Sequence, residues 1–246
     1  MAGMVEPPRI LAFDDIDSTN AEARRLAEAG EGGPLWITAL RQHAGRGRRG
    51  RSWETGEGNL AATYLFTTQK PLAEAAQVSF VAALAVADLA DAFAPPELVS
   101  LKWPNDPLID GRKTAGILVE SGSFAPGGFW LAVGCGVNLA RAPEASDRPV
   151  TAFADHMTGA PPSPRSALDV LAAAMNRWRD VWEVEGFPAI ARAWTARAHG
   201  LGQPCTARLA DEVVQGVAEG LDQHGALRLR LPDGAIRRIT AGDVFF

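Results

Sequence analysis

The hydrophobic pattern of this 246-residue chain changes near residues 200–202, and no other feature restricts its fold as strongly. Before the change, apolar residues at helical spacing alternate with short apolar runs that are typical of strands. After it, residues 203–246 contain only short apolar runs separated by Gly, Asp and Pro, which predicts a small all-β unit with a turn every 8–12 residues or so. We therefore predict an α+β fold in two domains, a mixed β-sheet with flanking helices over residues 1–199 and a small β-barrel over residues 200–246.

Helix and strand signals alternate along the first domain. Ser163 followed by Pro164 indicates a helix N-cap with proline at the first helical position, and Thr19 with Glu22 indicates a second cap and its capping box. Besides the helix that begins after Ser163, the pattern predicts helices at residues 19–29, 74–93 and 187–198, and strands at residues 9–16, 35–40, 59–68, 97–103, 112–121 and 128–137.

Composition and charge exclude several classes of protein. The net charge of −5 argues against a general nucleic-acid binder, and Cys135 and Cys205 lie too far apart to form a Cys-x-x-Cys zinc or redox pair. The first 15 residues lack the basic and apolar regions of a signal peptide. The apolar segment 80–93 contains two aspartates and is too short to span a bilayer. We therefore expect a cytoplasmic protein with no membrane partner.

The loop at residues 41–58 has no periodicity and carries four arginines within six positions, Arg46, Arg48, Arg49 and Arg51. Its glycines match the dinucleotide-binding string, but no helix follows and no acidic residue stands about 20 positions further on, so we reject that interpretation. Four like charges so close together repel one another, and we expect the free loop to be poorly ordered. A polyanion such as a triphosphate would relieve the repulsion. A solvated basic loop or a nucleic-acid patch stays open as the alternative.

The sequence Asp-Ser-Thr-Asn at residues 17–20 has two interpretations. A helix N-terminus accounts for Thr19 and Glu22. It leaves Ser18 and Asn20 as additional hydrogen-bonding groups beside exposed backbone N–H donors, which suits the polar edge of a ligand. Taken alone, the segment favours the plain helix terminus.

Lysine is rare in this chain, with only three among 24 basic residues, so each retained lysine is a candidate for a specific role. Lys102 precedes a Trp-Pro-Asn-Asp turn at residues 103–106, and Lys113 stands at the mouth of an apolar strand. A plain turn is the default for residues 103–106, but it requires no lysine. A lysine ammonium can contact a single carboxylate or phosphate oxygen. Gly116, within the same strand as Lys113, indicates close approach of a ligand or another backbone.

The strand at residues 128–137 ends in Gly134-Cys135-Gly136, and Asn138 follows it. Two glycines flanking one small residue admit a flat group against the backbone, and Asn138 can recognise polar atoms. Cys135 has no base or metal partner nearby in sequence, so we interpret it as a small packed residue. No Gly-x-Ser-x-Gly, His-Glu-x-x-His or Walker A motif occurs, so triad hydrolases, zincins and P-loop enzymes lack support.

With these segments in this order, the chain resembles the biotin–protein ligases, the enzymes that attach biotin to carboxylase carrier domains. The resemblance runs over nearly the whole chain from residue 9 and rests on DSTN (17–20), RQHAGRGRRGRSW (41–53), GNL (58–60), KWPND (102–106), GRKTAGILVES (111–121) and GCGVNL (134–139). It implies a mixed-sheet domain like those of class II aminoacyl-tRNA synthetases and biotin synthetases, followed by a Src-homology-3-like barrel.

The resemblance also implies a two-step reaction, in which biotin and ATP form biotinoyl-5′-AMP and a carrier lysine then takes the biotin. Neither step uses an enzyme nucleophile, so preorganised cations are the main catalytic need. By resemblance, the catalytic residues are Arg46, Arg48 and Lys113. These three also bind biotin, together with Ser18, Thr19, Asn20, Gln42, Gly45, Gly116, Gly134 and Gly136. The ATP-binding set shares Arg48 and Lys113 and adds Arg51, Trp53, Asn105, Asp106, Val137 and Asn138. We expect no metal in the protein alone, and Mg²⁺ arriving with ATP near Asp106.

The implied partner is the biotin carboxyl carrier domain of acetyl-CoA carboxylase or of a related biotin-dependent carboxylase. Because DSTN begins at residue 17, we expect the short form of the family, with no N-terminal DNA-binding domain, no repressor function and no DNA partner. Thr114 and Cys135 depart from the family pattern, which has larger apolar residues there. A homodimer is compatible with the sequence, which does not decide the oligomeric state.

Two other functions stay open. The first is a lipoate or octanoate ligase or transferase, which shares the fold superfamily. It is distinguished from a biotin ligase by the acid, lipoate instead of biotin, that supports exchange of pyrophosphate into ATP. A nucleic-acid-binding module would use the arginine loop and show steeply salt-dependent binding, which the acidic balance of the chain disfavours.

Overall fold

A computed structural model describes residues 9–143 and 149–246; the signal-peptide expectation concerns in part residues 1–8, which lie outside that range. In chain order the strands are β1 (Ile10–Ile16), β2 (Leu35–Gln42), β3 (Leu60–Thr68), β4 (Val99–Lys102), β5 (Asp106–Ile109), β6 (Arg112–Lys113), β7 (Ala115–Ser123), β8 (Phe129–Val137), β9 (Pro204–Arg208), β10 (Val213–Leu221), β11 (Leu227–Arg230), β12 (Ile236–Ile239) and β13 (Asp243–Phe245). The helices are α1 (Thr19–Glu28), α2 (Leu72–Ala75), α3 (Val78–Asp91), α4 (Pro164–Glu185) and α5 (Phe187–Ala196).

The central sheet is mixed, and its strands lie in the order β1-β2-β3-β8-β7. Strands β1 and β2 run parallel with α1 as the connection, whereas the other pairs are antiparallel. The middle strand β3 is buried at every position except Thr67, because α1 packs on one face of the sheet and α4 on the other. The predicted mixed β-sheet with flanking helices is therefore confirmed.

Helix α3 forms the centre of the hydrophobic core. A helix that is apolar on all sides must be buried on all sides, and each residue from Phe80 to Ala87 is buried. Phe80 makes edge-to-face contacts with Phe187 and Trp194 of α5, at centroid distances of 5.4 and 5.7 Å. By length and composition Leu72–Asp91 could cross a bilayer, but 67% of its most apolar window is buried inside this structure, the pattern of a core helix.

The C-terminal strands form an antiparallel sheet in the order β12-β11-β10-β9-β13. This sheet docks on the first part of the chain, since the Trp103 indole donates a hydrogen bond to the Gly225 carbonyl at 2.9 Å. Gly225 allows the close approach, because a Cβ there would lie 2.8 Å from the Phe80 ring. The predicted C-terminal β unit is confirmed. The boundary at residues 199/200, the synthetase-like description and the Src-homology-3-like description stay predictions.

The hairpin of β5 and β6 is absent from the sequence prediction. Its loop is Asp110-Gly111, with φ angles of +51° and +68°, the two-residue turn that the right-handed twist of a hairpin favours. The Asp-Gly pair was thus a usable signal. The prediction missed β5 because the strand has only four residues and begins beside Pro107.

Two other predicted elements differ in the structure. The strand predicted at 112–121 breaks at Thr114, whose N–H donates to the Pro107 carbonyl while its carbonyl accepts from the Asn138 N–H, so the chain changes sheets there. The helix predicted at 74–93 is divided between α2 and α3 by i→i−3 backbone hydrogen bonds at Gln77 and Phe80.

The N-cap of α1 is Ser18, and the predicted capping box of Thr19 and Glu22 is wrong. The Ser18 hydroxyl accepts from the Ala21 N–H. Thr19 is instead buried against Gln42, and Glu22 forms an ion pair with Arg25. The predicted cap at Ser163 of α4 is confirmed.

Replacing Leu84 with alanine should lower the free energy of unfolding by about 2–5 kcal/mol, because the side chain is fully buried in α3 and its loss leaves a cavity. Leu72→Ala is the matched control, since Leu72 is 51% exposed, and should cost about 1 kcal/mol or less. Urea unfolding followed by far-UV circular dichroism measures both. Equal losses would contradict the assignment of α3 as the core helix.

Candidate functional site

A cavity of about 470 Å³ opens between the central sheet, the N-terminus of α1, the arginine loop and strand β13. This volume lies within the range of small-molecule sites, roughly 300–1,000 Å³. Polar and charged side chains from many parts of the chain converge on it. The residues from the sequence prediction that line it are Ser18, Thr19, Asn20, Gln42, Arg46, Arg48, Arg51, Trp53, Asp106, Lys113, Gly116, Gly134, Gly136 and Asn138.

Three predicted site residues do not line this cavity. Gly45 pairs across the base of the loop with Trp53, where a Cβ would lie 2.3 Å from the Trp53 carbonyl oxygen. Asn105 lines a neighbouring groove and accepts a hydrogen bond from Arg48 at 3.0 Å. Val137 is buried at the end of β8. In this structure the three residues lie beside the cavity, and their predicted contacts with ligand stay predictions.

The floor of the cavity is a hydrogen-bonded network of buried and half-buried side chains. The Thr63 hydroxyl donates to Asn20 Oδ1 at 2.7 Å and lies 2.8 Å from the Thr19 hydroxyl. Gln42 Oε1 accepts from the Thr19 N–H at 2.8 Å. The Asn20 amide points its nitrogen at Glu120 Oε2, 2.8 Å away. Sequence reasoning missed Thr63 and Glu120, because each follows apolar residues in a predicted strand and belongs to no motif that suggests a ligand.

The arginines of the loop all have partners. Arg46 contacts Glu120 at 3.0 Å, and Arg48 contacts Asn105 as described above. Arg49 and Arg51 share Asp243 of β13, at 3.2 and 2.9 Å. These contacts offset the mutual repulsion from which we expected a poorly ordered free loop. The structure gives the loop a 3₁₀ turn at Arg48–Gly50, in which Arg49 has a φ of +58°.

Arg48 reaches furthest into the protein. Burial lowers the pKa of its guanidinium below the usual value, and the Asp106 and Asp243 carboxylates oppose that shift. A guanidinium keeps its charge under any ordinary condition. Arg48 therefore brings a poorly solvated positive charge to the cavity wall, where an anion would interact with it strongly.

Two lysines share one buried carboxylate beside Arg48. Asp106 Oδ1 lies 2.5 Å from Lys113 Nζ, and Oδ2 lies 3.3 Å from Lys102 Nζ. Burial by itself raises the pKa of Asp106, but Lys113 and Lys102 together lower it below its usual value. Two ammonium groups against one carboxylate leave a net positive charge. Lys102 lines the cavity, although the sequence prediction included it in neither the biotin-binding nor the ATP-binding set.

No group of three His, Cys, Asp or Glu side chains that could hold a metal ion occurs within residues 9–143 and 149–246. Both carboxylate oxygens of Asp106 already contact ammonium groups, and a hard cation would have to displace them. Asp106 therefore does not fit the expected role beside Mg²⁺.

The flat group that lies against the glycines is a tryptophan of the chain itself. A Cβ at Gly116 would lie 2.5 Å from the Trp53 ring, and one at Gly136 would lie 2.2 Å from Trp53 Nε1. Gly134 has a different neighbour, since a Cβ there would lie 2.2 Å from Asn20 Oδ1. The glycines therefore seat Trp53 and Asn20, and through them shape the cavity.

Comparison with known families decides the membership of the chain. Residues 12–138 match the model described as "Biotin/lipoate A/B protein ligase family", and residues 200–246 match "Biotin protein ligase C terminal domain". The chain belongs to the biotin protein ligase family. The resemblance drawn from the sequence motifs is thereby confirmed.

Individual relatives agree with the family model. The chain is 46% identical to the biotin–[acetyl-CoA-carboxylase] ligase of Paracoccus denitrificans, over 94% of this chain and 97% of the relative. It is 34% identical to the ligase of that name from Mycobacterium tuberculosis, over 92% and 85%. Among solved structures, biotin protein ligase from Aquifex aeolicus in complex with biotin and ATP superposes with a TM-score of 0.80 at 25% identity, over 96% of this chain and 97% of that one.

The two departures from the pattern of biotin protein ligases lie differently in the structure. Cys135 lines the cavity and is 2% exposed, and burial raises the pKa of its thiol to about 12, so the thiol is neutral. Thr114 is fully buried where the chain changes sheets, and its hydroxyl has no hydrogen-bond partner among the described residues. In this biotin protein ligase, Cys135 therefore contributes directly to the shape of the cavity, whereas Thr114 lies behind the cavity wall.

Gly136→Ala should destabilise the fold by about 1–3 kcal/mol, because the added methyl group overlaps the Trp53 indole. In a Trp53→Ala background the same substitution should cost much less, since no indole has to move. Gly127→Ala, where the nearest atom lies 4.0 Å away, serves as the control. Chemical unfolding measures all the variants, and an equal cost in both backgrounds would refute the seating of Trp53 on Gly136.

Proposed function

We propose that this chain activates biotin with ATP as biotinoyl-5′-AMP and transfers it to a lysine of a biotin carboxyl carrier domain. The observation that carries the proposal is one cavity that joins poorly solvated cations, Arg48, Lys102 and Lys113, to a floor of hydrogen-bonding side chains. Two relatives named biotin–[acetyl-CoA-carboxylase] ligase support the same acceptor.

In the first step, a carboxylate oxygen of biotin attacks the α-phosphorus of ATP. The bond from that phosphorus to the bridging oxygen breaks, and pyrophosphate leaves with the electron pair. The main barrier is the approach of one anion to another, so fixed positive charge is the most effective catalyst. Lys113 and Arg48 supply it, and Arg46 adds a third cation, because its guanidinium has N–H donors beyond the one that Glu120 accepts. Asp106 keeps the ammonium groups of Lys113 and Lys102 in position.

In the second step, the neutral amine of the acceptor lysine attacks the acyl carbon of the adenylate. The bond from that carbon to the phosphate oxygen breaks, AMP leaves, and the nitrogen loses a proton to solvent. No enzyme nucleophile is needed. The cations that favour the first step also stabilise the departing phosphate, and closure of the arginine loop keeps water from the adenylate.

The two substrates use different parts of the wall. Biotin lies on Ser18, Thr19, Asn20 and Gln42, whose amide and hydroxyl groups suit a cyclic urea. The nucleotide lies by Arg51, Trp53 and Asn138. Because the Asn138 amide nitrogen donates to the Thr151 carbonyl at 3.1 Å, its oxygen faces away from that bond and suits the exocyclic amine of adenine. Mg²⁺ enters with ATP as the counter-ion of its phosphates.

The deciding experiment is exchange of labelled pyrophosphate into ATP, with biotin or lipoate as the acid. Exchange with biotin, followed by transfer of biotin to a carrier domain but not to its Lys→Arg variant, supports the proposal. Exchange with lipoate alone would replace it with lipoate ligation. Steeply salt-dependent binding to DNA or RNA without any exchange would favour the nucleic-acid alternative. The cytoplasmic location, the absence of repressor activity and the oligomeric state stay predictions.

Lys113→Ala should slow biotin-dependent pyrophosphate exchange by about 10²–10³-fold, the usual effect of removing one group that stabilises charge in a transition state. Lys70→Ala is the control, because Lys70 contacts Glu183 and Trp182 away from the cavity. Exchange near the wild-type rate in Lys113→Ala would show that this lysine does not serve the first step.

Arg48→Gly should leave the fold intact and let biotinoyl-AMP dissociate about 10–100 times faster, as expected from losing a charge-assisted hydrogen bond. A filter-binding chase of labelled adenylate measures the rate. Arg141→Gly is the control, since Arg141 is an exposed arginine that contacts Glu57. An unchanged dissociation rate would mean that Arg48 does not retain the intermediate.

A further inference from the structure

Glu120 joins two parts of the cavity wall that are distant in sequence. Its Oε2 atom accepts from the Asn20 amide nitrogen at 2.8 Å and from the Arg46 guanidinium at 3.0 Å. Asn20 belongs to the first turn of α1, whereas Arg46 belongs to the arginine loop. One carboxylate oxygen therefore connects the floor of the cavity to the loop that covers it.

The geometry leaves Asn20 few other orientations. Thr63 donates to its oxygen, and Glu120 accepts from its nitrogen. The Asn20 side chain also packs directly against Gly134, where a Cβ would lie 2.2 Å from Asn20 Oδ1. The Arg46 contact is less constrained, because the Glu120 and Arg46 side chains are 24% and 45% exposed. Asn20 is therefore fixed, whereas Glu120 holds Arg46 by one partly exposed ion pair, a weaker contact that a single substitution can remove.

We propose that Glu120 is a positioning residue that holds the Arg46 end of the loop over the biotin floor before substrate arrives. This inference rests on the proposed biotin-binding role of the floor. A loop already held at one end loses less conformational freedom when it closes, so biotin binds more tightly. The other end of the loop is held separately, by Asp243 on Arg49 and Arg51, so loss of Glu120 affects biotin more than ATP.

Glu120→Gln separates the two contacts, because glutamine keeps an oxygen for the Asn20 amide but removes the charge that attracts Arg46. In pyrophosphate exchange, the KM for biotin should rise about threefold to tenfold, as for loss of one partly exposed ion pair, while the KM for ATP stays within about twofold. Glu219→Gln is the matched control, a strand glutamate 27% exposed that pairs with Arg230 far from the cavity, and it should change neither KM.

A second readout does not depend on activity. Trypsin cuts after arginine, so the rate of cleavage within residues 46–51 reports how well the loop is held. Without ligand, Glu120→Gln should be cleaved there severalfold faster than the wild type and Glu219→Gln. Arg46→Gln removes the other member of the Arg46–Glu120 ion pair. It should raise the biotin KM by at least as much, and adding Glu120→Gln to it should raise that KM no further.

The outcomes separate this inference from the proposed function. If the wild type shows no biotin-dependent exchange, the proposed function fails, and the trypsin assay alone decides whether Glu120 holds the loop. If the wild type is active and Glu120→Gln matches it in both assays, the inference is overturned. Equal increases of both KM values, or additive effects with Arg46→Gln, would also overturn it, since they indicate general damage.

Discussion

Three carboxylates hold in place the arginines and lysines of the cavity wall, which would otherwise repel one another. Asp106 pairs with Lys102 and Lys113, Asp243 with Arg49 and Arg51, and Glu120 with Arg46 and the Asn20 amide. Positive charges gathered for anionic substrates cannot lie close together in a folded protein without counter-ions. Each of these acids satisfies more than one donor, so the cations stay in place and the site still keeps an excess of positive charge.

The fold brings these acids together from separate elements. Asp106 begins β5, Glu120 lies in β7 and Asp243 begins β13. The small sheet, the central sheet and the C-terminal sheet thus each contribute one counter-ion. The C-terminal unit also supports the site through the Trp103–Gly225 hydrogen bond. Its contact with the arginine loop gives that unit a direct part in the cavity, whereas the sequence left its role undecided.

Several expectations failed where a local signal competed with a distant partner. Thr19 was predicted as a cap from the residues beside it, but Gln42 and Thr63 bury its side chain, and Ser18 takes the cap. The flanking glycines of β8 correctly indicated a flat group against the backbone, and Gly116 of β7, expected to meet a ligand or another backbone, meets the same group. That group is Trp53, which a tertiary contact brings to them. In both cases the partner that decides the contact comes from another element.

The sequence by itself determined the fold class, the family and most of the polar and charged side chains that line the cavity, because short motifs carry the residue types that such a site needs. Tertiary structure alone decided which charge neutralises which. Glu120 and Asp243 look like ordinary strand and turn residues in the sequence, and their arginine partners lie 74, 192 and 194 positions away. Electrostatic pairing depends on distance in space, and no local pattern encodes a distance across so much chain.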